Sequence, residues 1–156
     1  IRDKGAPKGT IAFSKNGNFD IKQLNSSTVK WSGLRNLDLA QKVSTKKTYV
    51  WSGLKTWKKN TGYLKNKNKF LHVVAIDYGI KKNILRYFSD FNCKVTVVPC
   101  GTSAREILGL KPSGIFLSNG PGDPVATGKY AINIIKELIK KNCLSLEFVW
   151  DIKYLL

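Results

Sequence analysis

The chain is poor in several residue types that carry common chemistry. Its 156 residues include no methionine, one histidine and three cysteines. The cysteines, Cys93, Cys100 and Cys143, have neither CxxC spacing nor a histidine cluster beside them, which argues against a metal site. His72 lies in the apolar run FLHVVAI and fits a strand residue better than a catalytic base. The small, odd cysteine count is typical of a reduced cytosolic protein.

Long hydrophobic runs and targeting segments are also missing. The sequence has no stretch of about 18 apolar residues, and it does not open with a signal peptide. We therefore expect a cytoplasmic chain with no membrane partner. Because the sequence begins with Ile1 and contains no methionine, we also expect that it begins within a longer protein.

Acidic residues are scarce beside the 27 lysines and arginines, so the formal net charge is +17. A nucleic acid or an anionic membrane is the usual partner of such a charge. However, only Arg2, Arg35, Arg86 and Arg105 are arginines, and the lysines are spread along the whole chain. That distribution favours solvated, lysine-rich faces, and the aromatic and basic interleaving of an RNA-recognition surface is missing. A basic nucleic-acid-binding protein is therefore the least favoured alternative, and we expect no nucleic-acid partner.

Apolar periodicity after residue 69 predicts alternating strands and helices. The expected strands are 70–76, 94–98 and 114–117, and the expected helices are 82–88, 103–108 and 130–140. Ser103 is a candidate N-cap for the second helix. This order predicts an α/β fold, part of a doubly wound parallel sheet with right-handed crossovers.

The region before this pattern is less regular. Residues 8–13 (KGTIAF) form a candidate strand, residues 38–43 a candidate short helix, and residues 49–51 a second apolar segment. Residues 55–69 are polar and contain Gly62 and three asparagines, which indicates a linker or an exposed hairpin.

The stretch IFLSNGPGDP, residues 115–124, follows the third expected strand. Ligands of doubly wound sheets bind in loops at the carboxyl ends of the strands. Glycine allows close approach of the backbone, and proline stiffens the turn. Three interpretations are open: a phosphate cradle, an oxyanion hole or a tight structural turn. A dinucleotide fingerprint is disfavoured, because GxGxxG is absent and the glycines follow the third strand instead of the first.

LSNGPGDP, together with IDYGIKKNILR at residues 76–86, resembles the small, glutamine-hydrolysing subunit of carbamoyl-phosphate synthetase, a class I glutamine amidotransferase with a flavodoxin-like fold. The resemblance implies that Gly120 and Gly122 contact the substrate L-glutamine and shape an oxyanion site. It also implies a cysteine nucleophile with His and Glu partners. We assign Asp77, Asn83 and Arg86, which match the same segments, a structural role.

The resemblance also implies a partner and a pathway. In this family the ammonia passes to a large subunit, which combines it with bicarbonate and ATP to make carbamoyl phosphate for arginine and pyrimidine biosynthesis. ATP and divalent metal are expected only on that subunit, so we expect no cofactor in this chain. IRDKGAPKGTIA, LDLAQKVST and YVW resemble the end of the small subunit's first domain. The expected organisation is 1–54 for the end of that domain, 55–69 for a linker and 70–142 for the first half of the amidotransferase domain.

Residues 143–156 depart from the family pattern. The family continues with P-[IF]-F-G-I-C-L-G-H-Q, whereas this chain has CLSLEFVWDIKYLL. With suitable synonymous codons, residues 143–155 read one base earlier encode PFFGICLGHQIL. We therefore hypothesise a frameshifted tail in a chain truncated at both ends. It contains none of the family's catalytic residues, so we expect it to be inactive alone. The alternative is a non-catalytic remnant that docks on the large subunit or on a complementary fragment.

Overall fold

A computed structural model describes residues 5–67 and 70–141, together with the backbone of residues 145–147. Contacts between Cα atoms divide the chain into two compact units, Ile1–Arg35 and Asn36–Leu156.

In the first unit, residues 5–35 include the helix α1 (Ile21–Lys30). Its N-cap is Asp20, whose carboxylate accepts a hydrogen bond from the Gln23 amide at 2.9 Å. The strand predicted at residues 8–13 is wrong, since that segment is irregular. Ile11 and Phe13 are 102% and 88% exposed, so their side chains have no surface to pack against among the described residues.

The second unit is an α/β domain. Its elements are α2 (Ala40–Val43), β1 (Tyr49–Trp51), β2 (Gly53–Lys58), β3 (Gly62–Lys65), β4 (Leu71–Asp77), α3 (Lys82–Asp90), β5 (Cys93–Pro99), α4 (Ala104–Gly109), β6 (Gly114–Leu117), α5 (Pro124–Lys140) and β7 (Ser145–Glu147). Five strands form one sheet in the order β1-β5-β4-β6-β7. Strands β5, β4, β6 and β7 are parallel, and β1 pairs antiparallel with β5. The predicted α/β fold is confirmed, with an antiparallel strand at one edge.

Side chains alternate between two cores on opposite faces of the sheet. On one face, Ile76 and Leu117 pack with helices α4 and α5. On the other, Val95 and Phe116 pack with helix α3, whose Leu85 is fully buried. Because helices cover both faces, the central strands read as continuous apolar runs, as predicted.

Capping residues set the helix starts. Ser103 and Glu106 form a capping box at α4: the Ser103 hydroxyl accepts from the Glu106 amide, and the Glu106 carboxylate accepts from the Ser103 amide. Hydrogen bonds from Ser103 lower the pKa of Glu106. Helix α5 begins at Pro124, six residues before the predicted start. Asp123 caps it, and proline at the first helical position is preorganised for a helix.

Strands β2 and β3 form an antiparallel hairpin that packs on α3. The Arg86 guanidinium lies 3.8 Å from the centre of the Tyr63 ring, and the Lys55 amide donates to the Asp90 carboxylate at 3.0 Å. The described part of residues 55–69 is therefore a hairpin, the second of the two forms expected. The assignment of residues 1–54 to the end of a preceding domain stays a prediction. In this chain the boundary between the two units lies after Arg35, and β1 pairs with β5 in the main sheet.

Candidate active site

The strand order creates a crevice between the carboxyl ends of β4 and β6. The chain passes from β4 to β5 on one side, then crosses to β6 on the other side of β4. Such a reversal is the place where doubly wound sheets bind ligands. The two loops that meet there are 78–81, after β4, and 118–123, after β6.

Gly120 and Gly122 are required by the packing of the loops. A Cβ atom on Gly120 would lie 2.5 Å from the Tyr78 carbonyl oxygen. Gly122 has a φ of 92°, and a Cβ there would lie 2.5 Å from the Leu37 carbonyl oxygen. Within the described residues, no hydrogen bond is donated by the amide of Gly120 or Gly122. The structural-turn interpretation therefore has direct support, since both positions exclude a side chain.

Ser118 and Asn119 join the two loops. The Tyr78 amide donates to the Ser118 hydroxyl at 2.9 Å, and that hydroxyl donates to the Asn119 carbonyl at 2.9 Å. The Asn119 side-chain amide donates to the Gly79 carbonyl at 3.2 Å. The bond from Tyr78 to the fully buried Ser118 is shielded from water, and the three bonds together hold the glycine loop against the turn after β4.

Asp77 is a buried carboxylate at the end of β4 that accepts three backbone hydrogen bonds. Its Oδ1 atom accepts from Gly79 and Ile80 at 2.9 and 2.8 Å. Its Oδ2 atom accepts from Thr45 at 2.8 Å. Bonds to a charged acceptor are about twice as strong as neutral ones. Asp77 therefore fixes the turn after β4 to a segment 32 residues earlier, which agrees with the structural role expected for it.

Asn83 and Arg86 complete the residues expected to be structural. Arg86 contacts the hairpin ring of Tyr63, as described above, so its role in packing is visible. Asn83 is exposed in the first turn of α3. Nothing in the described contacts explains the asparagine at that position.

The loops enclose a cleft of about 630 Å³. It is lined by Val43, Thr45, Tyr49, Asp77, Gly79, Ile80, Lys81, Lys82, Asn119, Gly120 and Pro121. Lys81 and Lys82 stand at the start of α3 and give this side of the cleft a positive charge. Gly122 does not line the cleft, so the structure brings Gly120 alone of the two predicted glycines to the cavity. Sequence reasoning missed Thr45 and Tyr49, which only the fold brings to the crevice.

The described residues place no nucleophile and base together at the cleft. Cys93 is buried at the start of β5, and burial raises the pKa of its thiol. Cys100 is also buried and does not line the cleft. His72 accepts or donates a hydrogen bond with Thr96 at 2.8 Å, near the amino end of β4. Cys143 lies outside the described residues.

The described residues also lack two features that would indicate other functions, a metal-ligand cluster and a membrane-spanning helix. The described residues contain no group of three or more His, Cys, Asp and Glu side chains arranged to hold a metal ion. Among the same residues, no helix is long and apolar enough to cross a bilayer.

A second concave surface lies on the α3 face of the sheet. This apolar groove has a volume of about 390 Å³ and is lined by Ile84, Tyr87, Phe88, Phe91 and Phe116. The Phe88 and Phe116 rings meet edge to face with their centres 5.1 Å apart. All of its lining surface is apolar, in contrast to the cleft.

Comparison with known proteins agrees with this geometry. Residues 74–145 match the family "Glutamine amidotransferase class-I". A carbamoyl phosphate synthase small chain of Bartonella bacilliformis is 54% identical over 142 residues, which cover 91% of this chain and 35% of the relative. Those of Rhizobium meliloti and Agrobacterium fabrum are 51% and 50% identical, and each is also covered over 35% of its length.

The matched region contains both loops of the crevice, all of β6 and the part of β4 from residue 74 onward. The chain spans about 35% of the length of the relatives it matches. Residues 74–145 thus match the class I glutamine amidotransferase family, and 91% of the chain is similar to part of the carbamoyl phosphate synthase small chain of other organisms.

Proposed function

We propose that this chain forms the glutamine-binding part of a class I amidotransferase domain. The observation that carries the proposal is the cleft between β4 and β6, which is lined by Gly120, Lys81 and Lys82 and in which the Gly120 amide donates no hydrogen bond within the described residues. A zwitterionic amino-acid amide has a carboxylate for the lysines and a carbonyl oxygen for the amide. L-Glutamine, the family's substrate, has both groups.

The chemistry of amide hydrolysis gives the loop its purpose. Attack on the glutamine carboxamide places negative charge on the carbonyl oxygen, and a fixed N–H directed at that oxygen stabilises the charge. One such donor contributes roughly 3 kcal/mol to lowering the barrier. The attack requires a thiolate and a base to activate it. The only histidine of this chain, His72, lies at the other end of β4, so we propose that the chain binds glutamine without hydrolysing it.

The proposed biological context follows from the relatives. As a relative of carbamoyl phosphate synthase small chains, the chain would lie in the cytoplasm and bind the large subunit, which in this family receives ammonia for arginine and pyrimidine biosynthesis, although this chain alone would release none. We propose no cofactor for this chain, because the ATP and metal chemistry belongs to that large subunit. Gly120 and Gly122 remain the proposed contacts to the substrate, although packing also requires both.

The proposal is tested by ammonia release and ligand binding on the purified chain. We expect L-glutamine to shift the amide NMR signals of Gly79 and Gly120, because both line the cleft. We expect ammonia at the level of a blank without protein. Steady, saturable ammonia release would contradict the proposed loss of hydrolysis, and the absence of any shift would contradict glutamine binding.

The apolar groove favours a second candidate function, a binding remnant that pairs with a complementary fragment. Phe91, which lines the groove, is 76% exposed, so much of this surface lacks a covering element within the described residues. Co-purification with a large subunit or with a C-terminal amidotransferase fragment would support this candidate. Failure to retain either would remove it.

A further inference from the structure

One wall of the cleft comes from residues that precede the amidotransferase match. Val43, Thr45 and Tyr49 line the cavity, whereas the family match begins at residue 74. Residues 43–49, which contain these three side chains, form the upstream wall of the cleft. This wall faces the turn that contains Gly79, where a Cβ atom would lie 3.0 Å from the Val43 side chain.

The upstream wall is held to the ends of two strands by buried polar groups. The Thr45 amide donates to Asp77 at the end of β4, as described above. The Cys100 amide, just after β5, donates to the Ser44 hydroxyl at 3.0 Å, and Ser44 is buried. Bonds to buried groups are costly to break, because each leaves a donor or acceptor unpaired. The wall is therefore a fixed part of the cleft.

Tyr49 is the side chain of this wall with the most suitable chemistry for a polar ligand. In strand β1, Tyr49 lies opposite Val97 of β5. Because successive side chains of a strand point to opposite faces, the next residue, Val50, points to the other side of the sheet. Burial, with a smaller contribution from the Asp77 carboxylate, raises the pKa of the Tyr49 hydroxyl. The phenol therefore stays neutral at physiological pH and can both donate and accept a hydrogen bond. No described residue bonds to it.

We propose that Tyr49 contacts the amino-acid amide bound in the cleft and hydrogen-bonds it through its hydroxyl. The upstream wall is then part of the ligand site, although it lies outside the amidotransferase match. This inference rests on the proposed glutamine binding. It adds a residue from the segment before β4 to a site otherwise built from the β4 and β6 loops.

The test is an NMR titration of the whole chain with L-glutamine, using the Gly79 and Gly120 amides as reporters. The informative variant is Tyr49→Phe, which removes one oxygen and keeps the ring. Its matched control is Val50→Ala on the same strand, because Val50 is 52% exposed and does not line the cleft. Loss of one hydrogen bond predicts about a tenfold weaker affinity for Tyr49→Phe, with an unchanged melting temperature.

The outcomes separate this inference from the proposed function. Weaker binding by Tyr49→Phe with unchanged binding by Val50→Ala supports the contact. Equal affinities in Tyr49→Phe and the unmodified chain overturn the contact and leave glutamine binding standing. An equal loss in both variants also overturns it, because the cause is then the edge strand as a whole. If the unmodified chain shows no shift, the proposed function and this inference fail together.

Discussion

The cleft and the apolar groove lie on the same domain but are built by opposite means. The cleft is formed by backbone turns that buried polar groups join, with Asp77 and Ser118 at the ends of β4 and β6. The groove is formed by aromatic and aliphatic side chains of α3 and β6. Dispersion and apolar burial are non-directional, whereas hydrogen bonds fix atoms in place. The difference indicates a site for a small polar ligand in the cleft and a packing surface in the groove.

The largest effect should come from removing the groove's central ring. Phe116 is 1% exposed and packs edge to face on Phe88, so Phe116→Ala should lower the free energy of unfolding by about 3–5 kcal/mol. The control Phe91→Ala changes an exposed side chain and should cost less than about 0.5 kcal/mol. Urea denaturation followed by circular dichroism measures both.

If Phe116→Ala fails to fold, Phe116→Leu keeps most of the volume and allows the same comparison. If the groove is a packing surface that is independent of the cleft, Phe116→Leu should be less stable than the unmodified chain but should bind glutamine with the same affinity. Equal stability of the Phe116 and Phe91 variants would contradict the distinction between the buried and exposed parts of the groove.

A smaller effect is expected from adding one methyl group at the cleft. In Gly120→Ala the new Cβ would lie 2.5 Å from the Tyr78 carbonyl oxygen. The backbone of one of the two loops must move to relieve this clash. We expect a loss of about 1–3 kcal/mol in the free energy of unfolding. Gly101→Ala is the matched control, since a Cβ there meets nothing within 4 Å. It should be neutral or gain up to about 1 kcal/mol. Similar values for the two variants would show that the loop yields to a side chain.

The smallest expected effect is on the pH dependence of stability, and it comes from His72, which lines neither the cleft nor the groove. Burial is the main cause that lowers the pKa of His72 from 6.5, with Lys94 adding to it. The folded chain thus favours the neutral imidazole. The stability that comes from keeping His72 neutral is fully present above about pH 6.5, the pKa of the unfolded chain. It is lost as the pH falls through the lower pKa that His72 has in the folded chain.

Because His72 is the only histidine, a single imidazole proton signal reports its titration. We expect the NMR titration midpoint of His72 to lie below pH 6.5. We also expect the free energy of unfolding to fall between about pH 7 and pH 5, and to fall less in His72→Gln. A midpoint above 6.5 would contradict the burial at this position.

The central elements could be predicted because one physical signal dominates each of them. Strand β6 was predicted with its observed bounds, since a short apolar run between Gly114 and the glycine loop permits few alternatives. The Ser103 cap was readable from local chemistry. The start of α5 was missed because its first turns bury the small residues Ala126, Thr127 and Gly128, which give no apolar period.

The candidate site was predictable only where it is local. The glycine loop and its place after the third strand were read from the sequence, and the predicted contacts of Gly120 and Gly122 to glutamine stay predictions. The upstream wall was missed, because its link from Thr45 to Asp77 joins residues 32 positions apart. The frameshift hypothesis also stays a prediction: apart from the backbone of residues 145–147, the tail lies outside the described residues. The nucleotide sequence across codon 143 would decide it.

The close approach of Gly120 to the Tyr78 carbonyl has a consequence for how such proteins are recognised. A domain with these loops needs this glycine to pack them, whether or not it keeps the groups that react with a substrate. A search that relies on the Gly-Pro-Gly signature therefore gathers active enzymes and silent descendants alike. Telling them apart requires looking for the reacting sulfur atom.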